Sequence, residues 1–162
     1  MVDPHNTEHE RKFLLTDDPT LSSEGTSIIQ GYLPSSGDLS VRVRLYPTIS
    51  VYQLTIKGLR KGISRYEEEE PIRRTMAEGL LQACGSRVIE KHRYPALGPD
   101  GKGWDVDVFH GANTGLRLAE IELGRPDEEF ELPHWCGQEV TDDLRYYNEY
   151  LADHPYESWP AE

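Results

Sequence analysis

The sequence predicts a mainly β protein with helices packed outside one antiparallel sheet, and two features support this prediction. Eight segments alternate apolar and polar residues with a period of two, the spacing of a half-buried strand. Only two stretches carry apolar residues at helical spacing. The 162 residues show no shift in composition, so one domain over 1–162 is expected, with a core of about 8–151 and a surface tail at 154–162.

Five strands are predicted before the first helix, at 8–15, 28–33, 39–46, 52–58 and 63–72. Residues 20–26 offer at most one short helical turn, and 58–62 form a basic loop that contains glycine. The first helix is expected over 71–84, because Met76, Leu80, Leu81 and Cys84 share one face and Gly85 can end it.

The second half of the chain predicts three more strands, at 87–95, 103–109 and 116–123. An acidic loop over 125–136 follows. Thr141 is then expected to cap a final helix whose apolar stripe is formed by Leu144, Tyr147 and Leu151. The fold class is therefore α+β, dominated by strands.

Charge and composition exclude several functions. The net charge of −12 at pH 7 argues against nonspecific binding to nucleic acid, which needs a basic surface. The sequence shows no signal-peptide pattern and no apolar run of membrane-spanning length, so we expect a cytoplasmic protein without a membrane partner. Cys84 and Cys136 are far apart and are expected to be reduced. Whether the chain forms a homodimer stays open.

The charged residues are sorted by sign from strand to strand. Pairs at i and i+2 share one face of a strand, whereas a surface tuned only for solubility interleaves the two signs. The pairs are Glu8 and Glu10, Arg42 and Arg44, Glu67 and Glu69, Lys91 and Arg93, Asp105 and Asp107, and Glu120 and Glu122. If the sheet closes into a barrel, these pairs line one lumen. Crowded carboxylates there favour a hard divalent cation, and the basic residues favour phosphate oxygens.

The order of the charged motifs resembles the CYTH domain superfamily, the triphosphate tunnel metalloenzymes. Its signature ExExK strand is matched by Glu8, Glu10 and Lys12. Further matches are RVRL at 42–45, TIKG at 55–58, RYEEE at 65–69, IEKHRY at 89–94, WDVDVFHG at 104–111 and AEIEL at 119–123. The ending EVTDDLRYYN at 139–148 resembles the short bacterial single-domain, tripolyphosphatase-like branch.

The resemblance implies an eight-stranded antiparallel closed barrel, a tunnel with the C-terminal helix near one mouth, that binds a linear triphosphate with Mg²⁺ or Mn²⁺. By position, the phosphate-binding residues would be Arg42, Arg44, Lys57, Lys91 and Arg93. The metal would be held by Glu8, Glu10, Glu120 and Glu122. Secondary candidates are Arg65, Glu67, Glu69 and Asp107, with Arg145 as a selector of substrate length.

The chemistry implied is attack of water on a terminal phosphorus of inorganic tripolyphosphate, which yields pyrophosphate and phosphate. Tyr32 could act as the base if the ammonium of Lys12 lies next to it and lowers its pKa. Three alternatives stay open: a class-IV adenylate cyclase, a thiamine triphosphatase, and a noncatalytic module that binds polyphosphate.

Overall fold

The computed structural model describes residues 7–21, 24–37 and 39–160 of the chain. In these residues the strands are β1 (Thr7–Leu15), β2 (Thr26–Leu33), β3 (Ser40–Tyr46), β4 (Val51–Lys61), β5 (Ser64–Pro71), β6 (Val88–Leu97), β7 (Gly103–Phe109), β8 (Arg117–Glu122) and β9 (Cys136–Glu139). The two α-helices are α1 (Arg74–Ala83) and α2 (Asn148–Asp153). The mainly β prediction is confirmed.

Strand β1 closes the sheet into a barrel. The strand order is β5-β4-β3-β2-β6-β7-β8-β1, and β1 also pairs with β5, so eight antiparallel strands form a ring. One edge of β1 pairs with β8, where Glu10 faces Glu122, and the start of β1 pairs with β5, where Glu8 faces Arg65. The predicted eight-stranded closed barrel is confirmed, and β9 is an additional strand that pairs with the end of β1.

The apolar faces of the strands point outward and are covered there. Helix α1 packs on β2, β3 and β4, where its buried Ala77 joins Val43 and Leu45, together with Cys84 just after the helix. A Cβ at Gly31 would come within 2.7 Å of the Cys84 sulfur, so glycine allows this close approach. A second apolar cluster surrounds Trp104 on another side of the barrel. The interior is therefore left to the polar faces.

The described part of 20–26 contains no helical turn, which agrees with the expectation of at most one, and residues 22 and 23 lie outside the described residues. Several other predicted boundaries are wrong. The expected loop at 58–62 belongs mostly to β4, which runs to Lys61. The first helix is shorter than predicted, and β9 forms within the segment expected to be loop and cap.

The predicted final helix from Thr141 is also wrong. The Thr141 hydroxyl accepts the backbone N–H of Lys12 at 2.9 Å, so it belongs to the packing of β1. A 3₁₀ turn at Leu144–Tyr146 and the short α2 replace the long helix, and Leu144 is 65% exposed instead of lying in an apolar stripe. The C-terminal segment still lies beside the barrel opening.

The chain beyond α2 packs on the protein as far as it is described. Residues Tyr156–Ser158 form a 3₁₀ turn, and the Trp159 ring lies 5.2 Å from the Tyr146 ring, centre to centre. Residues 161 and 162 of the predicted tail lie outside the described residues. Among the helices of the described residues, none has the length and hydropathy needed to cross a membrane.

Candidate active site

The interior of the barrel is a cavity of about 1040 Å³ lined mostly by charged side chains. Strand alternation places them there, since the residues that face inward on each strand are those between the outward apolar positions. The cavity contains most of the predicted site residues: Glu8, Glu10, Lys12, Tyr32, Arg42, Arg44, Lys57, Arg65, Glu67, Glu69, Arg93, Glu120 and Glu122.

Three predicted site residues lie elsewhere in the described structure. Lys91 and Asp107 form an ion pair whose side chains are both 0% exposed, behind the cavity wall. Lys91 is therefore placed to support other residues and does not reach the cavity surface. The Arg145 guanidinium pairs with Asp143 at 2.7 Å and lies over the Tyr146 and Trp159 rings. It is not among the described residues that line the cavity, and its role in selecting substrate length stays a prediction.

One side of the cavity is a continuous network of ion pairs. Lys12 Nζ contacts Glu120 Oε1, while Arg93 donates to Glu120 Oε2 at 2.6 Å and to both oxygens of Asp107 at 2.7 Å. Burial disfavours the ionised carboxyl of Glu120, but Lys12 and Arg93 hold its pKa well below the ordinary value. Glu120 is thus an ionised carboxylate that is already engaged by two cations, Lys12 and Arg93.

The neighbouring carboxylates form an under-neutralised corner. Glu10 faces Glu122 across the β1–β8 pair, and Glu8 shares Lys57 with Glu67, at 2.7 and 2.6 Å. Burial, then Glu120 and Glu8, raise the pKa of Glu10. Desolvation, then Glu8 and Glu10, raise the pKa of Glu122. Negative charge is in excess here, and a cation would relieve it.

The opposite wall presents buried arginines with weak anionic partners. The Arg42 side chain is 6% exposed and approaches Glu67 and Glu69 only at 3.4 and 3.5 Å, and its Nε has no hydrogen-bond partner among the described residues. Arg44 donates to the Gln30 amide oxygen and the Tyr46 hydroxyl, both at 3.1 Å. Positive charge is therefore in excess on this wall.

The proposed activation of Tyr32 has the wrong sign. Burial raises the pKa of Tyr32 to about 12, although Arg42 and Arg44 act to lower it. Its hydroxyl accepts from Gln30 Nε2 at 2.9 Å, and the Lys12 ammonium is held instead by Glu120 and Glu10. Tyr32 is a phenol at neutral and moderately alkaline pH and is not proposed as the base.

Sequence reasoning missed several residues that line the cavity. Asp105, which pairs with Arg93 at 2.8 Å, was expected in the lumen from its spacing to Asp107, but it was given no role in the site. Arg60 and Tyr147 gave no usable signal, because Arg60 is brought inward by a backbone irregularity and Tyr147 by the unpredicted path of the C-terminal segment.

The donor set fits a hard divalent cation in its chemistry. Glu8, Glu10 and Glu122 supply carboxylate oxygens only, and the pKa values of Glu10 and Glu122 are raised by desolvation and by the charges of neighbouring carboxylates. Across residues 7–21, 24–37 and 39–160, no three histidine, cysteine or acidic side chains are already grouped to hold a metal. The fit is therefore one of ligand type and charge, and it favours these three carboxylates over Glu120, which Lys12 and Arg93 already engage.

Comparisons with known proteins agree with the barrel and its charged interior. The chain is 42% identical over 154 residues to the inorganic triphosphatase of Acetivibrio thermocellus, covering 94% of this chain and 97% of the relative. It is 40% identical over 148 residues to the inorganic triphosphatase of Nitrosomonas europaea, covering 90% and 97%. No protein-family model matches the chain.

Solved structures give the same result. The crystal structure of an inorganic triphosphatase covers 99% of both chains at 35% identity, with a TM-score of 0.67. The Hippeastrum protein HpAC1, at 14% identity, covers 74% of this chain and 81% of its own with a TM-score of 0.53, and this likeness concerns the fold alone.

Proposed function

The chain belongs to the inorganic triphosphatase family within the CYTH superfamily, and on this basis we propose that it hydrolyses inorganic tripolyphosphate to pyrophosphate and phosphate. The observation that carries the proposal is the pair of buried arginines that face the cavity: Arg42 approaches carboxylates only at 3.4 and 3.5 Å, and Arg44 donates to the neutral Gln30 amide oxygen and Tyr46 hydroxyl. Buried charge is costly unless it is neutralised, and guanidinium groups bind phosphate oxygens in a bidentate manner.

The two walls of the cavity would have different functions. Arg42 and Arg44 would bind and orient the phosphoryl chain, while Lys12 and Arg93 keep Glu120 ionised and fixed. Lys91 and Asp107 would act from behind the wall, because Asp107 fixes the Arg93 guanidinium by two hydrogen bonds. The water that attacks phosphorus would be polarised by ionised carboxylates, and not by Tyr32.

Glu8, Glu10 and Glu122 would hold Mg²⁺ or Mn²⁺. When bound, such an ion would supply positive charge to phosphoryl oxygens and lower the pKa of a coordinated water. Lys57 connects this proposed metal site to the arginine wall, because its ammonium contacts both Glu8 and Glu67, and Glu67 in turn contacts Arg42.

The test is hydrolysis of tripolyphosphate, ATP and thiamine triphosphate, each with Mg²⁺ or Mn²⁺ or with chelator, followed by quantification of phosphate, pyrophosphate and cyclic AMP. We expect phosphate and pyrophosphate chiefly from tripolyphosphate, and only with the metal. Cyclic AMP from ATP would identify a cyclase instead. Binding without turnover would identify a noncatalytic module.

Two variants that each remove one negative charge test the proposed metal site at Glu8, Glu10 and Glu122. Glu10→Gln should lower turnover by at least about a hundredfold, the scale seen when a group that stabilises developing charge is removed. The control is Glu70→Gln, since Glu70 is exposed on β5 and is not among the residues that line the cavity. Equal activity of the two variants would remove Glu10 from the proposed site.

A further inference from the structure

The hairpin between β4 and β5 breaks the alternation of β4 just before its turn. Thr55 and Lys57 pair with Glu69 and Glu67 of β5, and strict alternation from them would turn Arg60 outward. The register shifts between Lys57 and Arg60, after which Arg60 pairs with Arg65 and both line the cavity. Such bulges re-aim side chains. The irregularity thus places two arginines side by side on the cavity wall.

Neither arginine forms an ion pair with another described residue. Arg65 Nε donates to the Gly58 carbonyl at 2.7 Å, which fixes one edge of its guanidinium. The Arg60 guanidinium carbon lies 4.2 Å from the centre of the Tyr147 ring. Lys57, by contrast, contacts two carboxylates. Two neighbouring guanidinium groups repel each other, so an anion between them would be favoured.

This pair lies near the rim of the cavity. The neighbouring cavity residues Leu59 and Leu144 are 55% and 65% exposed, whereas Arg42 and Arg44 on the inner wall are 5% and 8% exposed. The inner arginines and the rim pair line the same cavity, so a linear ligand that extends from the inner wall to the rim would place one of its ends at the rim pair.

We propose that Arg60 and Arg65 form an end subsite for a free terminal phosphoryl group, and that this subsite makes the cavity prefer inorganic tripolyphosphate to an organic triphosphate ester. The inference rests on the proposed function. A free terminal phosphoryl group offers three non-bridging oxygens and an additional ionisable position, which two guanidinium forks can match. An ester at that end removes one oxygen and adds a bulky group.

The test measures binding in chelator, so that turnover does not enter. Calorimetric titrations with tripolyphosphate and with ATP, ligands of similar net charge, compare the native protein with Arg60→Gln. Loss of a charged hydrogen-bonding group should weaken tripolyphosphate binding by about tenfold. ATP has a free terminal phosphoryl group at one end only. If the buried inner wall, where Arg42 and Arg44 are 5% and 8% exposed, takes that end, the ester end lies at the rim and cannot make this contact, so ATP binding should change by less than about twofold. The tripolyphosphate affinity of Arg60→Lys should lie between those of the native protein and Arg60→Gln, because lysine keeps the charge but lacks the forked donors of the guanidinium.

The matched control is Lys61→Gln, which removes the same charge from the next residue of β4. Lys61 is exposed and is not among the residues that line the cavity, so this variant should bind both ligands as the native protein does. An equal loss for tripolyphosphate and ATP in Arg60→Gln, or no loss, would overturn the end subsite, as would the absence of tripolyphosphate binding to the native protein. Selective binding without any hydrolysis would retain the subsite while refuting the proposed function.

Discussion

Replacing Asp107 with asparagine tests the idea that the cavity wall is supported by a buried counter-ion. The Asp107 side chain is 0% exposed, pairs with Lys91, and accepts from Arg93 Nε and a terminal nitrogen of the same guanidinium, both at 2.7 Å. Burial opposes its ionisation, but Arg93 and Lys91 hold its pKa below the ordinary value. Asparagine keeps the shape of the side chain and removes the charge.

The expected cost follows from what remains in the variant. Lys91 would be left fully buried without its carboxylate, and breaking one partner of a buried ion pair costs about 3–5 kcal/mol in free energy of unfolding. For a chain of this size the melting temperature should fall by roughly 6–20 °C. Urea unfolding, followed by the fluorescence of buried Trp104, measures the loss.

The control is Asp105→Asn on the same strand. Asp105 also pairs with Arg93, at 2.8 Å, but its side chain is 46% exposed, so its loss should cost only about 0–1 kcal/mol. Adding Lys91→Met to Asp107→Asn should recover part of the stability, because no unpaired charge is then buried. If Asp107→Asn costs no more than Asp105→Asn, the buried counter-ion is refuted.

Asp107 also predicts how the free energy of unfolding depends on pH. The unfolded Asp pKa is about 3.9 and the folded pKa of Asp107 is lower, so its stabilisation is present above that pH and is lost as the pH falls through the folded value. The free energy of unfolding of Asp107→Asn should therefore fall less steeply in acid than that of the native protein. Parallel curves would contradict this assignment.

Two further predictions use buried groups with raised pKa values. Tyr32→Phe should leave the shape of the pH–rate profile unchanged below about pH 10, because a phenol with a pKa of about 12 stays protonated there, and loss of an alkaline limb in the variant would contradict this. Burial raises the pKa of Cys136 to about 12 and also raises that of Cys84, so Ellman's reagent at pH about 8 should label both thiols slowly when folded and rapidly in urea. Rapid labelling of the folded protein would show that these thiols are accessible.

Much of the barrel and its inward charges could be predicted because strand alternation is local. The alternation of side chains along a strand alone places Glu8, Glu10 and Lys12 on one face of β1, and the cavity contains all three. The depth of a residue within the barrel wall depends on the tertiary structure and does not follow from alternation. The sequence therefore did not distinguish Lys91, which is buried behind the wall, from Arg93, which reaches the cavity.

The errors have two physical causes. Thr141 carries a capping signal, but its hydroxyl is used by the N–H of Lys12 on β1, a tertiary contact that outweighs local propensity. The bulge before Arg60 is a backbone irregularity that alternation cannot anticipate. The pKa of Tyr32 was predicted to be lowered but is raised. The prediction considered only a neighbouring ammonium, whereas the burial of Tyr32 depends on the whole folded barrel.

The lysines and arginines of the barrel do different work, and their hydration explains why. Each buried or half-buried lysine of the barrel interior contacts a carboxylate, as Lys12 does with Glu120 and Lys57 does with Glu8. An ammonium is compact and strongly hydrated, so its burial requires a close anion. A guanidinium is delocalised and less hydrated, which lets Arg44 and Arg65 rest on neutral oxygens of Gln30 and Gly58. The lysines therefore fix the carboxylates of the cavity, and the arginines that lack a close carboxylate remain available to bind phosphate.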